Sequence, residues 1–308
     1  MIEVRDLQKS YGDLLAVKGI SFTARDSTVF GLLGPNGAGK STAINCISGL
    51  LKPTAGHVAV GGHSITKDAV KAKASLGIVP QELAIYEDLS ASDNLAYWGA
   101  AYGLKGTKLK ERVAHVLDRI GLTDRAGDLP KNYSGGMKRR LNFGCGLVHE
   151  PKVLLLDEPT VGVDPQSRER LFDLVEDEKA KGTCVLYTTH YMEEAERFCD
   201  ELAIMDHGEI IAAGTLQALR AQVGEKDILQ LSGTFDVPAV ETAIAPLNAD
   251  VLTLSTDTVM IAVADGAANL QAFLNGVSAT GAVIRDTRLS EPNLESLFLK
   301  LTGKDLRA

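Results

Sequence analysis

Residues 34–41, Gly34-Pro35-Asn36-Gly37-Ala38-Gly39-Lys40-Ser41, fit the pattern G-x-x-x-x-G-K-[ST]. Val29–Leu33 just before them is an apolar run suited to a buried strand. Thr42–Ile47 just after them reads as a helix that closes at Gly49. A strand, a glycine turn and a helix start in this order make a cradle for polyphosphate. Dense negative charge needs many donors close together, and glycines let backbone N–H groups turn inward with no Cβ in the way. The helix start adds about half a positive charge at the same place. On this reading Gly34, Pro35, Asn36, Gly37, Ala38, Gly39, Lys40, Ser41 and Thr42 surround the phosphates. Lys40 reaches the β- and γ-phosphates and the Ser41 hydroxyl holds Mg²⁺. A chance match in a surface turn is the competing reading, and the flanking strand and helix argue against it.

Working outward, strands and glycine turns alternate up to about Asp88: Ile2–Leu7, Gly19–Ala24, Thr28–Leu33, His57–Val60 and Gly77–Val79. From about 89 to 150 the pattern turns helical. Ser90 is a cap with Asp93 three residues on. Val113, Val116, Leu117 and Ile120 fall at helical spacing before Gly121, and a third helix runs from Gly135 to about Val148. Lys152–Leu156 is then a continuous apolar run, as in a strand buried on both faces. Asp164-Pro165 opens a helix to about Gly182. Thr183–Thr189 is the next strand, and Leu202–Met205 with Glu209–Ala212 forms a hairpin around Asp206-His207-Gly208.

From about residue 224 the rhythm changes to strand 227–234, helix 238–246, strand 250–255, strand 258–264, helix 267–277 and strand 281–288. This β-α-β-β-α-β order predicts a ferredoxin-like domain, followed by a helix over 293–301 after Pro292. The expected fold class is α/β with antiparallel and helical subdomains, plus this small α+β domain. The expected boundaries are 1–219 and 224–308.

The totals bound the function. The chain's 308 residues suggest two domains. A net charge of -8 disfavours a nucleic-acid partner, which needs basic surface to neutralise phosphates. No apolar run approaches the ~20 residues of a membrane span. Met1-Ile2-Glu3-Val4-Arg5 reads as an alternating strand, not as a leader. Cys46, Cys145, Cys184 and Cys199 form no CxxC pair and read as buried small hydrophobes in a reducing compartment. The histidines show no metal-ligand spacing.

Three further signals depend on one another. Val153-Leu154-Leu155-Leu156-Asp157-Glu158 is a buried strand ending in two acids. Alone it could be a solvated strand end. Beside a phosphate cradle, Asp157 holds the metal through its water shell, and Glu158 orients and deprotonates the attacking water. Gln81, after Val79-Pro80, is placed to touch Mg²⁺ and sense the γ-phosphate. His190 ends the strand 183–189, expected to run parallel beside the strand of Asp157, so that it reaches the same water. Lone glutamines and histidines more often carry no chemistry; these two gain meaning from their neighbours.

Tyr133-Ser134-Gly135-Gly136-Met137 opens a helix with Ser134 as its cap and its donors free for an anion. With the cradle, the acidic strand end, Gln81 and His190 in this order, the set resembles the nucleotide-binding domain of ABC ATPases, over about 1–219. The resemblance implies an ATP-hydrolysing transporter subunit. It implies that Tyr11 stacks on adenine with Val17 beside it, and that Val161-Gly162-Val163-Asp164 crosses to a partner. It also implies that Ser134, Gly135 and Gly136 of one copy close on the ATP held by another. Met137 and Val163 depart from the commonest residues, glutamine and leucine, without removing a catalytic group. The partners implied are a second copy and a separate membrane permease, which would hold a cytoplasmic chain at the inner membrane face. The tail from Leu289 to Gly303 is similar to exporter ATPases, and the C-terminal domain reads as a dimerisation or regulatory module. The rival is a soluble ABC protein of translation or DNA maintenance. It fits less well, because the chain has one cradle and no heptads over 48–131. Lys138-Arg139-Arg140 reads first as a solvated helix face and second as charge support near phosphate or partner.

Overall fold

The computed structural model describes residues 1–223, 226–247, 249–291 and 293–302. Pro292, Gly303 and the expected boundary at Gly224 lie outside the described residues. The chain divides into two compact units, Met1–Ala213 and Gly214–Ala308.

In the first unit, β1 (Ile2–Tyr11) and β2 (Leu14–Ala24) form a long hairpin, followed by β3 (Val29–Leu33) and α1 (Lys40–Ile47). The chain continues through β4 (Ala55–Val60), β5 (His63–Ser64), α2 (Ala69–Ala74) and β6 (Leu76–Val79). A helical stretch follows, with α3 (Ala91–Ala101), α4 (Gly106–Arg119) and α5 (Gly135–Leu147). Alternation then resumes with β7 (Val153–Asp157), α6 (Pro165–Ala180), β8 (Cys184–Thr189), α7 (Met192–Phe198), β9 (Glu201–Asp206) and β10 (Glu209–Thr215).

Local chemistry sets the helix starts. Ser90 Oγ accepts from Asp93 N at 3.1 Å, Ser134 Oγ from Met137 N at 3.3 Å, and Asp164 Oδ2 from Ser167 N at 2.9 Å. Each satisfies a backbone donor that the first turn leaves free, worth about 1 kcal/mol.

Two sheets share this unit, in the orders β2-β1-β4-β5 and β10-β9-β3-β8-β7-β6. The first is antiparallel. In the second, β9, β3, β8, β7 and β6 run parallel. Their side chains are buried on both faces, as the continuous apolar runs require. Leu32, Leu33, Leu154, Leu155, Leu156 and Leu186 have no exposed surface. Each such side chain contributes about 1.5–3 kcal/mol by leaving water. The registers Leu33↔Thr189, Asp157↔Thr188 and Val79↔Leu156 bring four C-terminal strand ends to one edge. In a parallel sheet that edge is where ligands bind.

The second unit contains α8 (Leu216–Val223), β11 (Asp227–Thr234), α9 (Val237–Ile244), β12 (Asp250–Leu254), β13 (Thr258–Val263), α10 (Gly266–Ser278), β14 (Val283–Ser290) and α11 (Leu294–Thr302). Its sheet, ordered β12-β13-β11-β14, is antiparallel throughout, which is the ferredoxin-like arrangement. Leu229, Leu231, Val259, Ile261, Phe273 and Val277 form its core. The last strand lies two residues later than the sequence suggests.

Candidate functional site

The turn after β3 is built around two backbone requirements. A Cβ on Gly34 would lie 2.2 Å from the Met205 carbonyl oxygen, so the loop and β9 meet there with no room for a side chain. Gly39, just before α1, has φ 101°, a conformation glycine adopts without strain. Together they fold residues 34–39 over the start of α1. The groove they border, of about 330 Å³, is also lined by Tyr11, Leu14, Ala16, Lys40, Ser41, Thr42, Gln81 and Glu158.

Lys40 is buried, and its ammonium turns back into the loop. It donates to the carbonyl oxygens of Gly34 at 2.8 Å and Pro35 at 3.1 Å. It also stands 3.3 Å from Glu158 Oε1. Glu158 is equally buried, at 6 % exposure, and it holds φ 44°, a left-handed conformation costly for a residue with a side chain. Its N–H donates to Thr188 Oγ1 at 2.9 Å, which anchors the strained turn to the neighbouring strand. His190 Nδ1 lies 3.3 Å from Glu158 Oε2, without the alignment of a hydrogen bond.

Asp157 precedes this turn at the tip of β7. Burial raises its pKa above the usual carboxylate range. The Thr188 hydroxyl, donating at 2.6 Å, and the Ser41 hydroxyl pull it back down. Ser41, Asp157 and Gln81 thus offer a hydroxyl, a carboxylate and an amide oxygen at one edge. All are hard oxygen donors of the kind Mg²⁺ takes while keeping several waters.

Glu194 is a second buried carboxylate beneath the site. Its Oε2 accepts from Tyr187 at 2.8 Å, Thr160 at 3.0 Å and Thr189 at 3.0 Å. Thr189 Oγ1 in turn accepts from Tyr191 N at 2.9 Å, so both flanks of His190 are fixed.

Ser134, Gly135 and Gly136 lie elsewhere in the unit. A separate groove of about 600 Å³, with no residue in common with the first, is lined by Ser134, Met137, Arg140 and the start of α6. A Cβ on Gly135 would meet nothing within 4 Å, whereas one on Gly136 would lie 2.0 Å from Ser167 Oγ. Gly135 is therefore open to the outside, and Gly136 is where α5 packs on α6.

Residues 17–161 match the ABC transporter family. Over 311 residues the chain is 44 % identical to the linearmycin resistance ATP-binding protein LnrL of Bacillus subtilis (strain 168), covering 100 % of both. The chain belongs to the ABC transporter ATP-binding family. It is also 38 % identical over 308 residues to the Nod factor export ATP-binding protein I of Ralstonia nicotianae, covering 100 % of this chain and 95 % of that protein. A solved dimeric structure of a bacterial ABC transporter cassette is similar at a TM-score of 0.64 and 25 % identity, over 70 % of this chain and 99 % of that one. This ABC ATPase accordingly binds and hydrolyses ATP. None of the helices among its described residues is long and apolar enough to cross a membrane.

Two expectations for the ABC ATPase need correction. Val17, expected beside the adenine, has no exposed surface and belongs to the core under the first sheet. The preceding residue of β2, Ala16, borders the groove instead. Alternation along a strand sends neighbours to opposite faces. Tyr11 does border the groove, 46 % exposed at the end of β1. The triplet Lys138-Arg139-Arg140 is not a free solvated face either. Lys138 pairs with Glu87, Arg139 donates to the carbonyls of Gln81 and Val161, and Arg140 donates to those of Ile120 and Gly121. Thr188 and Glu194 carried no sequence signal of their own, since threonine and glutamate are common and their partners are distant in the chain.

Proposed function

We propose that this chain powers an exporter: two copies clamp two ATP molecules between the cradle at 34–41 of one and the helix tip at 134–136 of the other, and their closing and opening drive a separate membrane permease. The observation that carries the reading is the pairing of Glu158 with both Lys40 and His190, each at 3.3 Å, across adjacent strand ends. This arrangement supports a resting site in which the Lys40 ammonium offsets the Glu158 carboxylate. Triphosphate draws Lys40 from the carbonyls of Gly34 and Pro35 and frees Glu158 for water.

Ser41, Asp157 and Gln81 would hold Mg²⁺, which when bound would offset negative charge on the triphosphate. Glu158 orients a water in line with the γ-phosphorus and takes its proton. The water oxygen bonds to phosphorus, the bond to the β–γ bridging oxygen breaks, and ADP and phosphate result. His190 holds the water and Glu158 in place, and Tyr11 stacks on the base. Catalysis of this kind is mostly positioning and charge neutralisation.

The similar cassette is a dimer, which supports the paired arrangement. Relatives named for resistance and for export favour an exporter over a soluble ATPase of translation or DNA maintenance. No long coiled coil interrupts 48–131; the longest helix there, α4, has 14 residues. The chain then sits at the inner face of the membrane through its permease. The C-terminal unit serves as a dimerisation or regulatory module.

The test is Glu158→Gln. It should keep ATP binding, accumulate an ATP-bound dimer by light scattering, and cut phosphate release by at least about a hundred-fold, the scale of losing a positioned base. Hydrolysis at the parental rate would show that Glu158 is not the base. Copurification with ribosomes or DNA, and not with a polytopic membrane protein, would contradict the transport assignment.

A further inference from the structure

Arg139 stands on α5, one turn beyond the helix tip at 134–136. Its guanidinium donates through Nη1 to the Gln81 carbonyl at 2.6 Å and through Nη2 to the Val161 carbonyl at 3.1 Å. Those carbonyls belong to two different segments. Gln81 follows β6 and borders the nucleotide groove beside Glu158. Val161 lies in the loop from Glu158 to α6, and its own N–H donates to the Glu158 carbonyl at 3.3 Å.

The charge of Arg139 is therefore spent on neutral oxygens. Burial alone perturbs the guanidinium, lowering its pKa, and no carboxylate pairs with it among the described residues. A planar fork can hold two acceptors at fixed angles, which an ammonium cannot. The same helix is tied to the same loop a second time. Gly136 packs so closely on Asp164 and Ser167 that a Cβ would meet Ser167 Oγ at 2.0 Å and Asp164 Oδ1 at 3.1 Å. Between these ties, the tip cannot shift without dragging the loop that carries Glu158 and the segment that carries Gln81.

We propose that Arg139 is a positioning residue that couples the two ATP sites of the dimer: it transmits the closing of the 134–136 tip on the partner's nucleotide to Gln81 and the Glu158 loop of its own chain. This rests on the composite-site reading above. In that reading the tip and the cradle of one chain serve different nucleotides, so a rigid link between them joins one site to the other. The bonds of Arg139 go to the Gln81 and Val161 backbone carbonyls and not to residues 34–41, so removing it leaves the cradle's own donors to ATP in place in a single chain.

The experiment uses the full chain in the Glu158→Gln background, with and without Arg139→Ala. Binding of a fluorescent N-methylanthraniloyl ATP to dilute monomer is titrated, and dimer formation against ATP is followed by light scattering. The expected result is monomer affinity within about two-fold of the parent, while the ATP concentration giving half-maximal dimer rises at least about ten-fold and the curve loses its steepness. In the otherwise unaltered protein, Arg139→Ala lowers kcat about ten-fold with KM within two-fold, and the Hill coefficient falls towards one. Arg139→Lys, which keeps the charge but offers one nitrogen in place of a fork of two, falls between. Lys138→Ala, which loses only a surface pair with Glu87, matches the parent.

Unchanged dimerisation and an unchanged Hill coefficient in Arg139→Ala overturn the coupling and leave the composite site standing. Should Arg139→Ala fail to fold, the lysine variant decides, and parental steepness there overturns the proposal. A Glu158→Gln parent that stays monomeric at saturating ATP removes the composite site itself, and the coupling with it.

Discussion

His149 makes the stability of this protein depend on pH in a way that can be calculated. Its ring stacks on Tyr102 with centroids 3.5 Å apart and planes within 10°. Nε2 lies 3.1 Å from the Leu76 carbonyl oxygen, which fixes Nε2 as the protonated nitrogen. Nδ1 is buried with no hydrogen-bond partner. Burial, helped by Arg112 and opposed by the bond to Leu76, pushes the pKa of His149 down to about 4. In the unfolded chain the imidazole titrates near 6.5. Below that value the unfolded state takes up a proton that the folded state refuses, so the contribution is present above about pH 6.5 and is lost as pH falls towards 4. Between about pH 7.5 and pH 5, the difference in proton binding amounts to about 2 kcal/mol. Urea unfolding at the two pH values, run beside His149→Gln, isolates this share from every other titrating group. The variant should lose about 2 kcal/mol less than the parent over that interval. Parallel losses in the two proteins would show that the imidazole titrates normally, and the argument from its burial would be wrong.

Three further outcomes follow from the nucleotide groove and the helix tip. Lys40→Ala removes the ammonium that reaches phosphate and leaves Glu158 buried without its partner. ATP affinity by fluorescence titration should fall by at least about 2 kcal/mol, roughly thirty-fold, and unchanged affinity would discredit the cradle. Gly135→Ala enters open space, so its thermal stability should stay within about 0.5 kcal/mol of the parent while ATP-dependent dimerisation is lost. Gly136→Ala collides with Ser167 and should cost about 1–3 kcal/mol in the monomer itself, readable by urea unfolding without nucleotide.

The parts of the fold legible in the sequence were those set by neighbours along the chain. The strand, turn and helix over 29–47, the caps at Ser90, Ser134 and Asp164, and the buried run before Asp157 each depend on residues a few positions apart, and the structure has them where expected. The short helix α8 has a local signal in Thr215, whose Oγ1 accepts from Ala218 N at 3.2 Å as a helix cap would. α7 has no such signal: it spans seven residues and has no side-chain cap. The hairpin of β1 and β2 continues to Tyr11 and Leu14, past the ends suggested by its apolar runs, because cross-strand pairing there outweighs the polar composition of Gln8, Lys9 and Ser10. The same extension, with its register shifts, turns Val17 inward. The roles of Arg139, Thr188 and Glu194 rest on bonds between segments far apart in the chain, and no local pattern encodes those.

The pairing of the two surfaces across copies can be tested with one disulfide. Asn36 and Ser134 are both exposed, and the four native cysteines are buried. Asn36→Cys in one full-length copy and Ser134→Cys in another, both carrying Glu158→Gln, are mixed and oxidised with and without ATP and Mg²⁺. Clamping of one nucleotide by both chains predicts a crosslinked heterodimer that forms only when ATP is present. A crosslink yield indifferent to ATP, or none at saturating ATP while each copy still binds it, would contradict the account.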